Sequence, residues 1–270
     1  MPDPDLDTVV CDLDGVVWLA GHPIAGSVDA VHRLQAAGLR VLFVTNSSAP
    51  TSGDHTAALA AIGIDASDAV VSSATAASQL VASGERVLVC GGAGVWEAVE
   101  RAGASPIAGD DSAGAAAGVD AVVVGLHQDF DYARLRTAVT AIRRGARFIA
   151  CNRDPLFPTP DGPVPGAGSI VAAIATSAQV EPAVAGKPHR PAAAAVARLV
   201  GLAADDPSLA TRLVMVGDQF LTDGAFADLL GCPFALVRTG NTRPGEELDY
   251  TPAIDVADLG AVASILLARD

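Results

Sequence analysis

The chain has 270 residues, 50% of them hydrophobic, and a formal net charge of −14. A chain of this length can bury a sizeable core in one large domain or in two of ordinary size. Its acidic balance disfavours nucleic acid as a partner, because binding a polyanion relies on clustered lysine and arginine. No apolar run is long enough to span a bilayer, so we expect no membrane association.

The first five residues contain neither a basic nor an apolar region, so we expect no secretory signal and a cytoplasmic protein. The four cysteines are scattered, with no close pair typical of a zinc site, and a reducing compartment argues against disulfides. Cys11 lies in a predicted strand, where we expect a small buried hydrophobe.

The first part of the chain alternates strand and helix, as a parallel sheet requires. In chain order the pattern predicts a strand at 8–13, a helix from Ser27 that stops at Gly38, a strand at 39–44, a helix from Ser52 to Ile62, a short strand near 70–71 and a helix at 74–81.

A second alternating series follows a boundary near residues 83–85. It predicts strands at 86–90, 120–124 and 147–151 and helices at 94–102, 131–144 and 167–178. Residues 108–118, rich in glycine, alanine and aspartate, are interpreted as a flexible connection. The chain then continues through a helix at 190–200, a strand at 212–217, a helix at 222–230, a strand at 233–237 and a terminal helix from Ala257.

These two series predict an α/β protein with an inserted domain. We expect a parallel-sheet core formed by residues 1–83 and 181–270, and a second α/β domain formed by residues 84–180.

The segment Asp12-Leu13-Asp14-Gly15-Val16 is the most informative of the chain, because two carboxylates follow directly on an apolar run. That pattern predicts a buried strand that ends in an acidic turn, where Gly15 supplies a permissive backbone. Open parallel sheets bind ligands at this edge. An ordinary polar turn is the alternative.

Three further segments place polar groups after predicted apolar strands or loops. They are Thr45-Asn46-Ser47-Ser48, Gly186-Lys187-Pro188 and Gly217-Asp218 followed by Thr222-Asp223. Each has a structural alternative: a helix N-cap, a solvated lysine and a turn. Their combination and order favour one shared site.

Together these four motifs resemble those of the haloacid dehalogenase superfamily of aspartate-nucleophile phosphatases. Thr45 and Lys187 lie 142 residues apart, which leaves room for a whole inserted domain. Such an insertion resembles the large α/β cap of the branch that includes nitrophenyl phosphate, glycerol phosphate, phosphoglycolate and pyridoxal phosphate phosphatases. The segments 152–158, 161–162 and 165–169 also resemble that branch. The resemblance implies a Rossmann-like core with a cap.

The resemblance also assigns roles in the core. Asp12 would be the nucleophile that forms an aspartyl phosphate, and Asp14 the general acid and base. Magnesium would be held by the Asp12 carboxylate, the Asp14 backbone oxygen and the Asp218 carboxylate. Thr45 and Lys187 would bind the transferring phosphoryl group.

Several neighbouring residues would assist these groups. Asn46 is expected to be an additional donor to the substrate, and Gly15 is also expected among the substrate-binding residues. Gly217 and Asp223 would be supporting residues, Asp223 by orienting Lys187 or water at the metal. A favourable interaction with a helix N-terminus is the alternative for Asp223.

In the predicted cap, Asn152, Arg153 and Asp154 match the branch pattern and would shape a loop over the substrate. A turn held by side-chain hydrogen bonds is the alternative for Asn152 and Asp154. His127 stands where the branch usually has aspartate and is a candidate substrate contact, with a solvated or hydrogen-bonded histidine after a strand as the alternative. Phe157 stands where we associate a histidine with the pyridoxal phosphate enzymes, which weakens that substrate.

We therefore expect a magnesium-dependent phosphatase of a small phosphorylated metabolite, with glycerol 3-phosphate as the first candidate. Phosphoglycolate, pyridoxal phosphate and nucleoside monophosphates are alternatives. A phosphotransferase or mutase and a catalytically weak binding protein are the alternatives of other classes. A homodimer through the cap is implied by the resemblance only.

Overall fold

The computed structural model describes residues 5–159 and 161–268. It divides into two compact units: a core unit of residues 1–45, 55–71 and 187–270, and an inserted unit of residues 46–54 and 72–186. Residues 1–4, on which the expectation about a secretory signal partly rests, lie outside the described residues.

The strands are short and follow one another through the chain. In order they are β1 (Thr8–Cys11), β2 (Trp18–Leu19), β3 (His22–Pro23), β4 (Arg40–Thr45), β5 (Val70–Ser72), β6 (Arg86–Cys90), β7 (Ser105–Ala108), β8 (Ala121–Val124), β9 (Arg147–Ala150), β10 (Leu156–Phe157), β11 (Val164–Pro165), β12 (Ala183–Val184), β13 (Leu213–Gly217), β14 (Phe234–Val237) and β15 (Ile254–Val256).

The helices lie between these strands. In order they are α1 (Ser27–Ala36), α2 (Ser52–Ala61), α3 (Ser73–Ser78), α4 (Ala93–Arg101), α5 (Ser112–Ala116), α6 (Tyr132–Arg143), α7 (Ala167–Ala178), α8 (Arg190–Leu199), α9 (Leu209–Arg212), α10 (Ala225–Leu230) and α11 (Leu259–Leu267), with a π-helical turn at Phe220–Gly224 before α10.

The core unit is built on a sheet in the order β15-β14-β13-β1-β4-β5. Strand β1 pairs in parallel with β13 and β4. Its residues are all buried, as expected for a parallel strand covered on both faces. Cys11 and Phe43 pack with residues of α1 and α11 in one apolar cluster.

The register of this sheet explains why distant motifs meet. Cys11 pairs with both Phe43 and Val216, so β1, β4 and β13 end at the same edge. Asp12, Thr45 and Asp218 occupy those ends. The carboxyl edge of a parallel sheet is where open α/β folds bind ligands.

The inserted unit has its own parallel sheet, in the order β12-β9-β8-β6-β7. Its core joins the apolar residues of β6, β8 and β9 to those of α6 and α7. The strands β10 and β11 form a separate short antiparallel pair.

These observations confirm the predicted α/β fold with a parallel-sheet core, and most of the predicted elements. Strand β6 and helix α7 have the predicted bounds of 86–90 and 167–178. Residues 46–54, expected in the core, already belong to the inserted unit. The main part of that unit begins at Ser72, before the expected limit near residue 83, because α3 packs against α4. It leaves after Gly186, beyond the expected limit at 180, because β12 pairs with β9.

Two local predictions are wrong. Residues 108–118 are not a flexible connection, because Asp111 caps a short helix by accepting a hydrogen bond from the amide of Gly114, and alanine favours the helical state. The predicted helix at 222–230 begins instead with the π-helical turn, and its α-helical part starts at Ala225.

The four cysteines are buried and free, and Cys11 is part of the core as expected. Within the described ranges, every helix is too short or too polar to cross a bilayer.

Replacement of Phe43 tests the packing that supports the site edge. Phe43 is fully buried, so we expect Phe43→Ala to lower the free energy of unfolding by about 3–5 kcal/mol. Tyr132→Ala is the matched control, since Tyr132 is 79% exposed, and it should change stability by less than about 0.5 kcal/mol. Urea unfolding followed by circular dichroism measures both. Equal losses in the two variants would contradict this packing.

Candidate active site

Two acidic residues directly follow adjacent strands of the core unit. Asp12 follows β1, and its amide continues the sheet by donating to the carbonyl oxygen of Val216 at 2.9 Å. Asp218 follows β13 and is buried. The β1–β13 pairing therefore places both carboxylates at one edge of the sheet.

Lys187 lies between two of the acidic residues. Its Nζ is 2.8 Å from Oδ1 of Asp12 and 2.6 Å from Oδ1 of Asp223. The Lys187 and Asp223 side chains are only 2% and 0% exposed, and that of Asp12 is 13% exposed. Hence Lys187 is no solvated surface lysine, and its ammonium is fixed by paired charges.

Asp223 is held in place by the chain that follows β13. Its Oδ2 accepts hydrogen bonds at 3.2 Å from the amides of Asp218 and Gln219, while Oδ1 accepts from Lys187. A Cβ added to Gly217 would lie 2.2 Å from the Cβ of Asp223, so this close approach requires glycine. The structure thus gives Asp223 a direct contact with Lys187, and its supporting role stays a prediction.

The acidic side chains around Lys187 outnumber the basic ones. Carboxylate oxygens of Asp12, Asp218 and Asp223 lie within 4.8 Å of one another. Burial raises the pKa of Asp12 well above its usual range, opposed by the charge of Lys187 and aided by Asp223 and Asp218. Burial and the charge of Asp223 raise the pKa of Asp218 to about 6.

Lys187 itself remains charged. Burial alone would lower its pKa, but the carboxylates of Asp12 and Asp223 outweigh this effect and raise it. With every group ionised, three carboxylates and one ammonium carry two excess negative charges. The set of hard oxygen donors with this charge fits a divalent cation such as magnesium.

Asp14 and Gly15 form the turn after Asp12. The carboxyl group of Asp14 accepts a hydrogen bond from Trp18, but burial dominates and raises the pKa of Asp14. Gly15 has a φ of 85°, and a Cβ there would lie 2.5 Å from Oδ2 of Asp218. Glycine is therefore required by both backbone and space.

Thr45 is the last residue of β4 and is buried. Its hydroxyl thus lies at the same sheet edge as Asp12. Its predicted contact with the phosphoryl group stays a prediction.

Comparison with known proteins tests the resemblance that the sequence motifs indicate. Haloacid dehalogenase-like hydrolase profiles match residues 9–105 and 184–262. The D-glycerol 3-phosphate phosphatase of Mycobacterium tuberculosis is 36% identical over 248 residues, which cover 87% of this chain and 63% of that protein. The sugar phosphatase AraL of Bacillus subtilis is 32% identical over 90% of this chain and 87% of its own length.

The chain belongs to the haloacid dehalogenase-like hydrolase family. A solved structure of the mycobacterial glycerol phosphate phosphatase in complex with magnesium has a TM-score of 0.81 at 33% identity, covering 96% of this chain and 78% of that one. The same protein in complex with calcium gives 0.80 at 31% identity, covering 95% and 74%. The predicted family and enzyme class, a phosphatase, are confirmed by these relatives.

Sequence reasoning missed one segment that contacts Asp218, residues 239–242 after β14. The amide and the Nδ2 of Asn241 both donate to Oδ2 of Asp218, the latter at 2.9 Å, and the amide of Thr242 donates to the Asp218 carbonyl oxygen at 3.1 Å. The hydroxyl of Thr239 donates to the carbonyl oxygen of Gly15. The position of this segment after a predicted strand was the available signal.

The remaining predicted residues lie in the inserted unit. The carbonyl oxygen of Asn46 accepts hydrogen bonds at 2.6 Å from Oγ of Ser73 and from Nδ2 of Asn152, and its Nδ2 donates to Asp154 at 3.3 Å. Oδ1 of Asn152 accepts from the amide of Asp154 at 3.1 Å. These bonds match the turn interpretation of Asn152 and Asp154, and their contacts with substrate stay predictions.

Other candidates of the inserted unit lie at its surface or in loops. Arg153 pairs with Glu181 at 2.9 Å, and both side chains are more than half exposed. Nδ1 of His127 accepts from the amide of Asp129 at 3.2 Å, and burial together with the charge of Arg134 lowers the pKa of His127. A neutral His127 at physiological pH follows from that direction.

Gly240 provides a test of the packing around Asp218. A Cβ at this position would lie 2.1 Å from Oδ2 of Asp218 and 2.7 Å from the Cα of Gly15, so we expect Gly240→Ala to lower stability by about 1–3 kcal/mol and to weaken metal binding. Thermal unfolding and calorimetric titration with magnesium measure the two effects.

Gly53→Ala is the matched control, since a Cβ there meets nothing closer than 3.7 Å in helix α2. It should leave stability unchanged or raise it by up to about 1 kcal/mol. A Gly240→Ala variant with unchanged stability and unchanged magnesium binding would contradict the close approach of the 239–242 segment to Asp218.

Proposed function

We propose that this chain is a magnesium-dependent phosphatase that hydrolyses a small phosphorylated metabolite through an aspartyl phosphate, with glycerol 3-phosphate as the first candidate substrate. The observation that carries the proposal is the buried Lys187, which contacts Asp12 and Asp223 beside Asp218. This arrangement supplies a nucleophile, a cation for the phosphoryl group and the donors for a metal ion.

The carboxylates of Asp12 and Asp218 and the backbone carbonyl of Asp14 would hold magnesium. The bound ion supplies positive charge that offsets the charges of the phosphate and of the nucleophile. Asp223 is already engaged by Lys187 and by two amides, so it supports the site without serving as a main ligand. The magnesium complex of the mycobacterial relative supports this choice of metal.

The chemistry needs two carboxyl groups with different roles. A carboxylate oxygen of Asp12 attacks phosphorus and forms the aspartyl phosphate while the bond from phosphorus to the leaving oxygen breaks. Asp14 donates its proton to that leaving oxygen. Asp14 then accepts a proton from the water that attacks phosphorus, and the bond to Asp12 breaks as inorganic phosphate forms.

The environment of Asp14 suits the role of acid, and at Asp12 the charges of Lys187 and of a bound cation would offset the burial that raises its pKa. Burial raises the pKa of Asp14, which helps it to retain a proton for the leaving group. Lys187 holds its contact with Asp12 before substrate arrives, so little reorganisation is needed to stabilise charge in the transition state. Thr45 would donate a further hydrogen bond to a phosphoryl oxygen.

Substrate choice is proposed to lie with the inserted unit acting as a cap. Glycerol 3-phosphate is supported by the name of the mycobacterial relative, and the sugar phosphatase at similar identity marks a competing class. The loop at 152–154 and His127 are the residues of the inserted unit that we expect to contact the organic part of the substrate.

Release of inorganic phosphate tests the function directly. We expect release from glycerol 3-phosphate with magnesium and none with a chelator, and a kcat/KM at least about 10-fold above those for phosphoglycolate, pyridoxal phosphate, nucleoside monophosphates and sugar phosphates. No release from any compound would contradict the proposal. Transfer to an organic acceptor without free phosphate would indicate a phosphotransferase instead.

Replacement of the nucleophile tests the mechanism. Asp12→Asn removes the attacking carboxylate at nearly constant shape, so we expect turnover to fall by at least about 1,000-fold while circular dichroism remains native. Asp29→Asn, an exposed aspartate at the start of α1, is the matched control and should retain full turnover. Substantial residual turnover in Asp12→Asn would overturn the assignment of Asp12.

A further inference from the structure

Asp218 differs from the other carboxylates of the site in the way its oxygens are used. Two N–H donors of Asn241, the backbone amide and Nδ2, converge on the same oxygen, Oδ2. A Cβ at Gly15 or Gly240 would overlap Oδ2 as well, so the backbone of both glycines passes close to this oxygen. Oδ1 is therefore the oxygen that remains for a cation.

The segment that delivers Asn241 is fixed at both ends. Thr239 donates its hydroxyl hydrogen to the carbonyl oxygen of Gly15, and the amide of Thr242 donates to the carbonyl oxygen of Asp218 at 3.1 Å. Gly240 lies so close to Asp218 that any Cβ would overlap Oδ2. The amide group of Asn241 is thus held against Oδ2 by the backbone on either side of it.

A carboxylate oxygen offers about two lone pairs. Two hydrogen bonds from Asn241 use those of Oδ2, so Asp218 can bind a cation through one oxygen only. Magnesium requires a small octahedron and usually takes carboxylates through one oxygen, whereas calcium accepts six to eight oxygens and often takes both oxygens of a carboxylate.

We propose that Asn241 is a specificity-determining residue of the metal site, which favours magnesium over calcium by restricting Asp218 to one oxygen. This inference rests on the proposed function, since it presupposes a cation at Asp218. Asn241 acts through Asp218, so it is a positioning residue.

Calorimetric titration of the substrate-free protein tests the inference. Magnesium and calcium are titrated separately into the wild type and into Asn241→Ala, and the ratio of the two dissociation constants is compared. Loss of the Nδ2 donor leaves Oδ2 with the backbone amide alone and opens one of its lone pairs to a cation. Calcium can then use both oxygens of Asp218 while the carboxylate is held less firmly for magnesium, so the preference for magnesium should fall by about 10-fold.

Two further variants complete the experiment. Asn241→Leu keeps the branched shape without the donor and should shift the ratio in the same direction, which guards against a folding defect in Asn241→Ala. Gln35→Ala removes a half-buried side-chain amide of α1, which donates to the carbonyl oxygen of Asp65 and not to Asp218, and should leave the ratio unchanged. Circular dichroism of each metal-free variant verifies that it is folded.

The outcomes separate this inference from the proposed function. A wild type that binds magnesium, and folded Asn241 variants with an unchanged ratio, would overturn the role of Asn241 and leave the phosphatase proposal intact. A wild type that binds no magnesium would overturn the metal site itself, and the role of Asn241 with it. A lowered ratio in both Asn241 variants supports the inference.

Discussion

The buried ammonium of Lys187 is the constraint on which the site depends. Removing a charge from water costs several kcal/mol unless partners replace the lost hydration. Asp12 and Asp223 supply that replacement at 2.8 and 2.6 Å. The addition of Asp218 leaves more negative than positive charge in a small volume, and a divalent cation would relieve that imbalance. The carboxylates that stabilise the buried Lys187 are thus the same ones that the proposed chemistry needs.

The parallel sheet brings these groups together from distant parts of the chain. Strands β1, β4, β13 and β14 end at one edge, and each is followed by a residue that contributes to the site or supports it. Glycine permits the close approach of the loops, since a side chain at Gly15, Gly217 or Gly240 would overlap Asp218 or Asp223. A fold with fewer parallel strands would not gather as many loop ends at one place.

Much of this arrangement was predictable from the sequence, because buried parallel strands are continuous apolar runs and the acidic motifs follow them directly. The 239–242 segment was missed because Thr-Gly-Asn is a common turn sequence without charge or periodicity, and its value depends on where the sheet order places β14. The helix at 112–116 was missed because its glycine and alanine composition also occurs in loops, and the capping contact of Asp111 is visible only in three dimensions.

The central claim of the proposed mechanism is the covalent transfer of a phosphoryl group to Asp12. The most direct measurement is mass spectrometry of acid-quenched Asp14→Asn protein after exposure to nitrophenyl phosphate and magnesium, since loss of the base should slow breakdown of the intermediate. We predict one phosphoryl group on the peptide that contains Asp12. The double variant, which carries both Asp14→Asn and Asp12→Asn, should carry none. Release of nitrophenol without any phosphoryl group on that peptide, or with the phosphoryl group on a different residue, would contradict this mechanism.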